Sequence, residues 1–239
     1  MHSFCRLGSM KKVLMVLSSH AALQHTDERT GVWLCSFTDP YYTFFDEGFE
    51  VTLASPMGGP VPVDPMSEQT THASLGTARF AADEDVRLAI GNTWKLDEVQ
   101  ASDFDALYYP DSHGAMWDLV DNERNARLLL GFLDAGKPVA MVGHSAAALI
   151  KVAAQRPEML QGRHLTCFSN TEEALLKRHH HIPFALKDRL KELGAVYEKG
   201  IIPFTPHLVV EGLLITGQNA SSSLPTVQAV VKALEGELV

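Results

Sequence analysis

The sequence predicts an α/β fold, a mostly parallel sheet with helices on both faces, and three observations lead there. Short unbroken apolar runs, such as residues 12–18 (KVLMVLS) and 138–142 (PVAMV), read as strands covered on both sides. Segments with helical apolar spacing lie between such runs, in the order of strand–helix–strand crossovers. The chain of 239 residues is 46% hydrophobic, enough for a large core, and neither an internal repeat nor a long linker divides it.

The first strand is residues 12–18. A polar loop follows, and Thr30-Gly31 opens an aromatic segment running to Phe45. Pro40 has no N–H to give a helix interior, so any helix there is expected to break or restart at it. Residues 49–54 (FEVTLA) form the second strand, closed by the turn-rich stretch 55–65. A helix is predicted over 81–90 and a third strand over 105–109 (DALYY). The helix over 122–135 ends at Gly136, a suitable C-cap. The fourth strand, 138–142, runs directly into an alanine-rich helix over 145–153. Later strands are predicted at 164–168, 208–210 and 213–216, and helices at 184–193 and 225–234. Ligands of such sheets bind beyond the carboxyl ends of the strands, which puts the chemistry just after Tyr109 and just after Val142.

Composition narrows the partners. A net charge of -9 argues against a nucleic-acid backbone, and 21% charged residues is ordinary for a folded protein. No apolar run approaches the ~20 residues of a membrane span. Residues 1–10 lack the apolar centre of a secretory signal and are expected to be an N-terminal extension ahead of a single domain over 11–239. Cys5, Cys35 and Cys167 form an odd set without metal-ligand spacing, so a reducing, cytoplasmic location without disulfides is expected.

Residues 139–149 (VAMVGHSAAAL) have the form of a strand turning sharply into a helix, where one residue stands at the helix N-terminus. Two registers compete. Gly143-His144-Ser145-Ala146-Ala147 approximates the G-x-S-x-G of serine hydrolases, with Ser145 as nucleophile, although alanine holds the fifth place. The other register puts the tip two residues earlier, at Gly143.

Six motifs favour the second register. They are Arg29-Thr-Gly31 with Pro40-Tyr-Tyr42; Glu50-Val-Thr-Leu-Ala-Ser-Pro56; Tyr109-Pro-Asp-Ser-His-Gly114 with Trp117-Asp118; Gly136-Lys-Pro138; Phe168-Ser-Asn-Thr-Glu-Glu173; and Leu214-Ile-Thr-Gly-Gln-Asn219. Through them, from about Lys11 to the C-terminus, the chain resembles the ThiJ/PfpI superfamily of class I glutamine-amidotransferase-like proteins. The likeness is strongest to its branch of glutathione-independent glyoxalase III and heat-shock chaperone relatives. The resemblance implies a flavodoxin-like three-layer sandwich with a nucleophile-elbow turn.

In that branch the elbow carries a cysteine nucleophile followed by a histidine, and these positions fall on Gly143 and His144. The acid that contacts the thiol falls on Ser36, and the oxyanion-side loop on Asp111-Ser112-His113-Gly114. What the resemblance leaves is His144, its orienting acid Glu173, a pocket side at Asp111, Ser112 and His113, and the backbone N–H groups near Ser112 and His144. Glyoxalase III-type relatives add a thiolate to a 2-oxoaldehyde, and histidine then shuttles a proton through an enediol to a hydroxy acid without a cofactor. A cysteine at a helix N-terminus is suited to this because its thiolate is populated there. Gly143 has no side chain to add.

The leading expectation is therefore a binding or chaperone-like homodimer without thiol chemistry, without cofactor or metal, whose partner is a small carbonyl metabolite or unfolded protein. Residual glyoxalase III or deglycase activity through His144 and Glu173 is the alternative, and a serine hydrolase at Ser145 the third. Restoring the chemistry is expected to need a cysteine at 143 together with a glutamate at 36. His144 with Glu173 is either a working dyad or a structural hydrogen bond, and His113 lines the pocket or caps the next helix. The run Lys177-Arg178-His179-His180-His181 reads as a solvated polar loop rather than a metal site. Cys35 is a packed thiol or a displaced reactive one, and Cys167 belongs to the core. Phe37, Tyr41, Tyr42, Phe44 and Phe45 supply core packing or a dimer face.

Overall fold

The computed structural model describes residues 10–237, so the expected N-terminal extension, Met10 apart, lies outside the described residues together with Cys5. Seven strands form the main sheet: β1 (Lys12–Val16), β2 (Glu50–Ser55), β3 (Trp94–Lys95), β4 (Ala106–Tyr109), β5 (Val139–Val142), β8 (Leu208–Glu211) and β9 (Leu214–Gly217). A separate two-stranded ribbon pairs β6 (His164–Leu165) with β7 (Val196–Tyr197). The main order is β3-β2-β1-β4-β5-β9-β8, parallel throughout except for the β8–β9 hairpin. This is the flavodoxin-like three-layer arrangement.

Alternation along the buried strands divides the core in two. Val13, Met15, Ala106, Tyr108, Ala140 and Val142 face one layer, with α1 (Leu34–Asp46), α3 (Glu84–Gly91) and α9 (Ser223–Glu235) packed on it. Leu14, Val16, Leu107, Tyr109, Val139 and Met141 face the other, under α5 (Glu123–Asp134), α6 (Ala148–Gln155) and α8 (Leu186–Glu192). Each large side chain so buried contributes about 1.5–3 kcal/mol. Asn122 caps α5 by accepting from the N–H groups of Arg124 and Asn125.

Three expectations are corrected, and one strand was not foreseen. Pro40 does not break its helix, which runs unbroken over Leu34–Asp46; Phe37, Tyr42 and Phe44 anchor it in the core and outweigh the lost hydrogen bond. The helix over 81–90 is two, α2 (Leu75–Ala82) and α3, because Asp83 turns out of α2 and caps α3 by accepting from Val86 N–H. The strand over 164–168 shortens to β6 and leaves the main sheet, where the Thr216 hydroxyl takes the Thr166 N–H. The edge strand β3 is exposed and only two residues long, too short to leave a periodic signal. No helix among the described residues is long and apolar enough to cross a membrane.

Because β4 and β5 are adjacent and parallel, with Tyr109 opposite Met141, the loops after Tyr109 and Val142 emerge side by side. That register builds the site.

Candidate functional site

The strand-to-helix turn has its tip at Gly143. Strand β5 ends extended at Val142, Gly143 takes φ +58, and a 3-10 turn over Gly143–Ala147 leads into α6. Left-handed backbone at a sharp turn suits glycine, since a Cβ costs energy there. Ser145 lies inside the turn, buried, with its hydroxyl donating to the Pro110 carbonyl. Among the described residues no histidine nitrogen bonds to it, so the geometry offers Ser145 no base.

Asp111 follows β4 and is fixed from the backbone up. Its N–H donates to Ser36 Oγ (2.8 Å), its carbonyl accepts from Trp33 N–H (2.8 Å), and Ser36 also receives the Ser223 hydroxyl (2.7 Å). Ser112 donates to the Gly31 carbonyl (2.8 Å), and Gly31 approaches Pro62 so closely that a Cβ would lie 2.1 Å from its oxygen. Thus held, the Asp111 carboxylate fills the space beside Gly143. A Cβ built on Gly143 would stand 2.3 Å from Asp111 Cγ and Oδ1 and 2.5 Å from Oδ2. Asp111 Oδ1 accepts from both the His144 N–H (2.9 Å) and His144 Nδ1 (3.0 Å). The backbone donor expected at His144 for an oxyanion is therefore already taken.

On its far side His144 Nε2 meets Glu173 Oε2 at 2.7 Å. Glu173 sits on α7 (Asn170–Leu175), a short helix started by a Ser169–Glu172 capping box. Burial alone would pull the His144 pKa down, but the Asp111 and Glu173 carboxylates outweigh it and raise it to about 9. Burial pushes Glu173 up, yet the His144 charge and the bonds from both histidines hold it well below the usual carboxylate range. His113 Nε2 meets Glu173 Oε1 (3.2 Å), and its ring stacks on His144 with centroids 3.7 Å apart. Burial and then the neighbouring His144 charge lower the His113 pKa. The resulting row is carboxylate, imidazolium, carboxylate, neutral imidazole, with Phe168 against the imidazolium at 4.2 Å between ring centroids. Both nitrogens of His144 donate, which leaves no lone pair for a base.

A cavity of about 290 Å³ opens in front of this row. Asp111, His113, Trp33, Cys35, His72, Phe168, Phe204 and Asn219 are among its lining residues, whereas His144 lies behind them. Trp33, His72, Phe204 and Asn219 were not singled out individually from the sequence, because only the fold brings their loops to one mouth. Cys35 reaches the cavity, but burial, with Asp39 and Asp111 nearby, pushes its pKa to about 12. The displaced reactive thiol is thereby disfavoured, since the thiolate is not populated near neutrality. Cys167 is buried in the core.

His113, His144 and Glu173 bring ligand atoms within 4.8 Å of one another. They fit a metal poorly: both Nε2 atoms already bond to the Glu173 carboxylate, and His144 Nδ1 to Asp111, so an ion would have to displace bonds that hold the row together. The run 177–181 is not simply a solvated loop. Arg178 is buried and holds Asp64 through two nitrogens (2.7 and 3.3 Å), and Thr30 donates to the same carboxylate (3.0 Å). Of the aromatic stretch, Phe37, Tyr42 and Phe44 are core, whereas Phe45 is exposed.

Comparison with known proteins agrees with this architecture. The sequence model of the family described as DJ-1/PfpI matches residues 30–233. A curated bovine relative (Bos taurus), glutamine amidotransferase-like class 1 domain-containing protein 1, is 31% identical over 189 residues, 78% of this chain and 81% of that one. Glyoxalase 3 of Candida albicans is 23% identical over 243 residues, covering 95% and 99% of the two chains. Among solved structures, the 24 kDa rapid encystment protein of Francisella tularensis superposes with a TM-score of 0.88 at 31% identity, over 94% of this chain and 99% of that one.

Proposed function

We propose that this chain, which belongs to the DJ-1/PfpI family, is a small-molecule binding protein that does not run thiol chemistry. The observation that carries this reading is Asp111. Its carboxylate stands where a side chain on residue 143 would project, and it takes the His144 N–H that would steady an oxyanion. The glyoxalase relatives suggest 2-oxoaldehyde chemistry by analogy. That chemistry requires a nucleophile and a histidine able to accept a proton. In this reading Gly143 occupies the nucleophile's place, and His144 is a fixed imidazolium behind the cavity wall. Residual turnover through His144 and Glu173 is disfavoured for the same reason. What remains is a preformed cavity with aromatic walls and a polar floor, the common form of a binding site.

Lactate formation from methylglyoxal without glutathione tests the reading directly. The wild-type protein is expected to release lactate at the uncatalysed rate. Release clearly above that rate would overturn the proposal and return His144 to a catalytic role.

A further inference from the structure

Resting on the reading of this cavity as a binding site, we infer that it takes a small organic cation, an amine or ammonium group seated on Asp111 between the rings of Trp33, Phe168 and Phe204. The floor of the cavity supplies the first argument. Asp111 is only 4% exposed, and both bonds from His144 go to Oδ1. Oδ2 has no hydrogen-bond partner among the described residues, in a side chain that lines the cavity. A carboxylate oxygen that faces the cavity without a protein donor is an open acceptor, and a charged ligand N–H makes the stronger, charge-assisted bond to it.

Charge supplies the second argument. Asp111 and Glu173 are two anions sharing one imidazolium, and His113 is held toward its neutral form, so the row carries one net negative charge. No lysine or arginine lines the cavity among the described residues. Arg178, the buried guanidinium of this region, is committed to Asp64. An anion would face Asp111 with the His144 N–H already occupied, whereas a cation meets a carboxylate and ring faces that attract it. At about 290 Å³ the cavity suits a ligand the size of one ring with a short amine arm.

The test is a charge series at constant ring size: benzylammonium, benzyl alcohol and benzoate, titrated calorimetrically into the wild-type protein at neutral pH. Benzylammonium is expected to bind at least about tenfold more tightly than benzyl alcohol, with benzoate weakest and the preference reduced by salt. Asp111→Asn is expected to abolish the tenfold preference while benzyl alcohol binding persists. The wild-type series stands without the variant, should Asp111→Asn fold poorly. Equal affinities, a preference for benzoate, or no binding by any of the three overturns the cation inference. Lactate release from methylglyoxal by the wild type instead overturns the reading on which the inference rests.

Discussion

Replacing Gly143 by cysteine is expected to damage the protein rather than arm it, and the size of the damage follows from Asp111. The new Cβ would stand 2.3 Å from Asp111 Cγ, so one of the two side chains must leave. The backbone at φ +58 adds about 1–2 kcal/mol for any residue with a Cβ. Expelling Asp111 breaks its bonds to His144 N–H and Nδ1, each worth about 1.5–3 kcal/mol as bonds to a charged group. Gly143→Cys should therefore cost at least about 4 kcal/mol, a large share of a typical domain's stability. Asp111→Gly alone forfeits the same two bonds, about 3 kcal/mol or more. The double variant loses those bonds once, not twice, so it should be about 3 kcal/mol or more above what additivity implies. Urea unfolding of the wild type, both single variants and the double measures this coupling. Additivity within about 0.5 kcal/mol would refute the claim that Asp111 fills the side-chain space of residue 143. The expectation that Gly143→Cys with Ser36→Glu turns over clearly more than Gly143→Cys alone runs against the same geometry. Asp111 would still block the thiol, and Ser36 is needed where it is to receive the Asp111 N–H and the Ser223 hydroxyl.

Stability should fall with rising pH across the titration of His144. Its folded pKa of about 9 lies above the ordinary 6.5, so its contribution is complete below about pH 6.5 and is lost as pH rises through about 9, a change on the order of 3 kcal/mol. Urea midpoints that stay flat over that window would remove the imidazolium from the account. Glu173 mirrors this on the acid side: its contribution is present above its ordinary range near pH 4.5 and is lost as pH falls below it, through the same ion pairs and not in addition to them. A fluorophosphonate probe is expected to leave Ser145 unlabelled, since that hydroxyl is buried against the Pro110 carbonyl; a labelled Ser145 peptide would revive the hydrolase reading. In sedimentation at micromolar concentration we expect the mass of a homodimer, with exposed Phe45 and Leu75 in its interface, and a monomer mass would reject it.

Much of the fold was legible because buried parallel strands write themselves as apolar runs, as at KVLMVLS and PVAMV. The elbow was legible from Gly143-His144 following such a run. The failures have a common cause in distant partners. Pro40 breaks helices by local rules, yet its neighbours Phe37 and Phe44 are held by the core. Asp111 was placed in its loop from the sequence, but that it fills the space beside a glycine 32 positions on depends on the register of β4 against β5. Arg178 looked solvated among basic and histidine neighbours because its partner, Asp64, lies 114 residues away.

That pair also bears on how the proposed ligand would enter and leave. The Arg178 N–H donates to the Glu173 carbonyl (3.2 Å), its guanidinium grips Asp64, and Asp64 N–H donates to the Val32 carbonyl (3.0 Å), one residue before Trp33. The helix bearing Glu173 and the strand-like segment leading to Trp33 are thus cross-tied behind the cavity. Removing either partner of such a pair leaves the other charge buried and unpaired, at a cost of about 3–5 kcal/mol. The cavity is therefore expected to behave as a cup with a fixed wall rather than a flap. Residence time should be set by the aromatic rim that a departing ligand must cross.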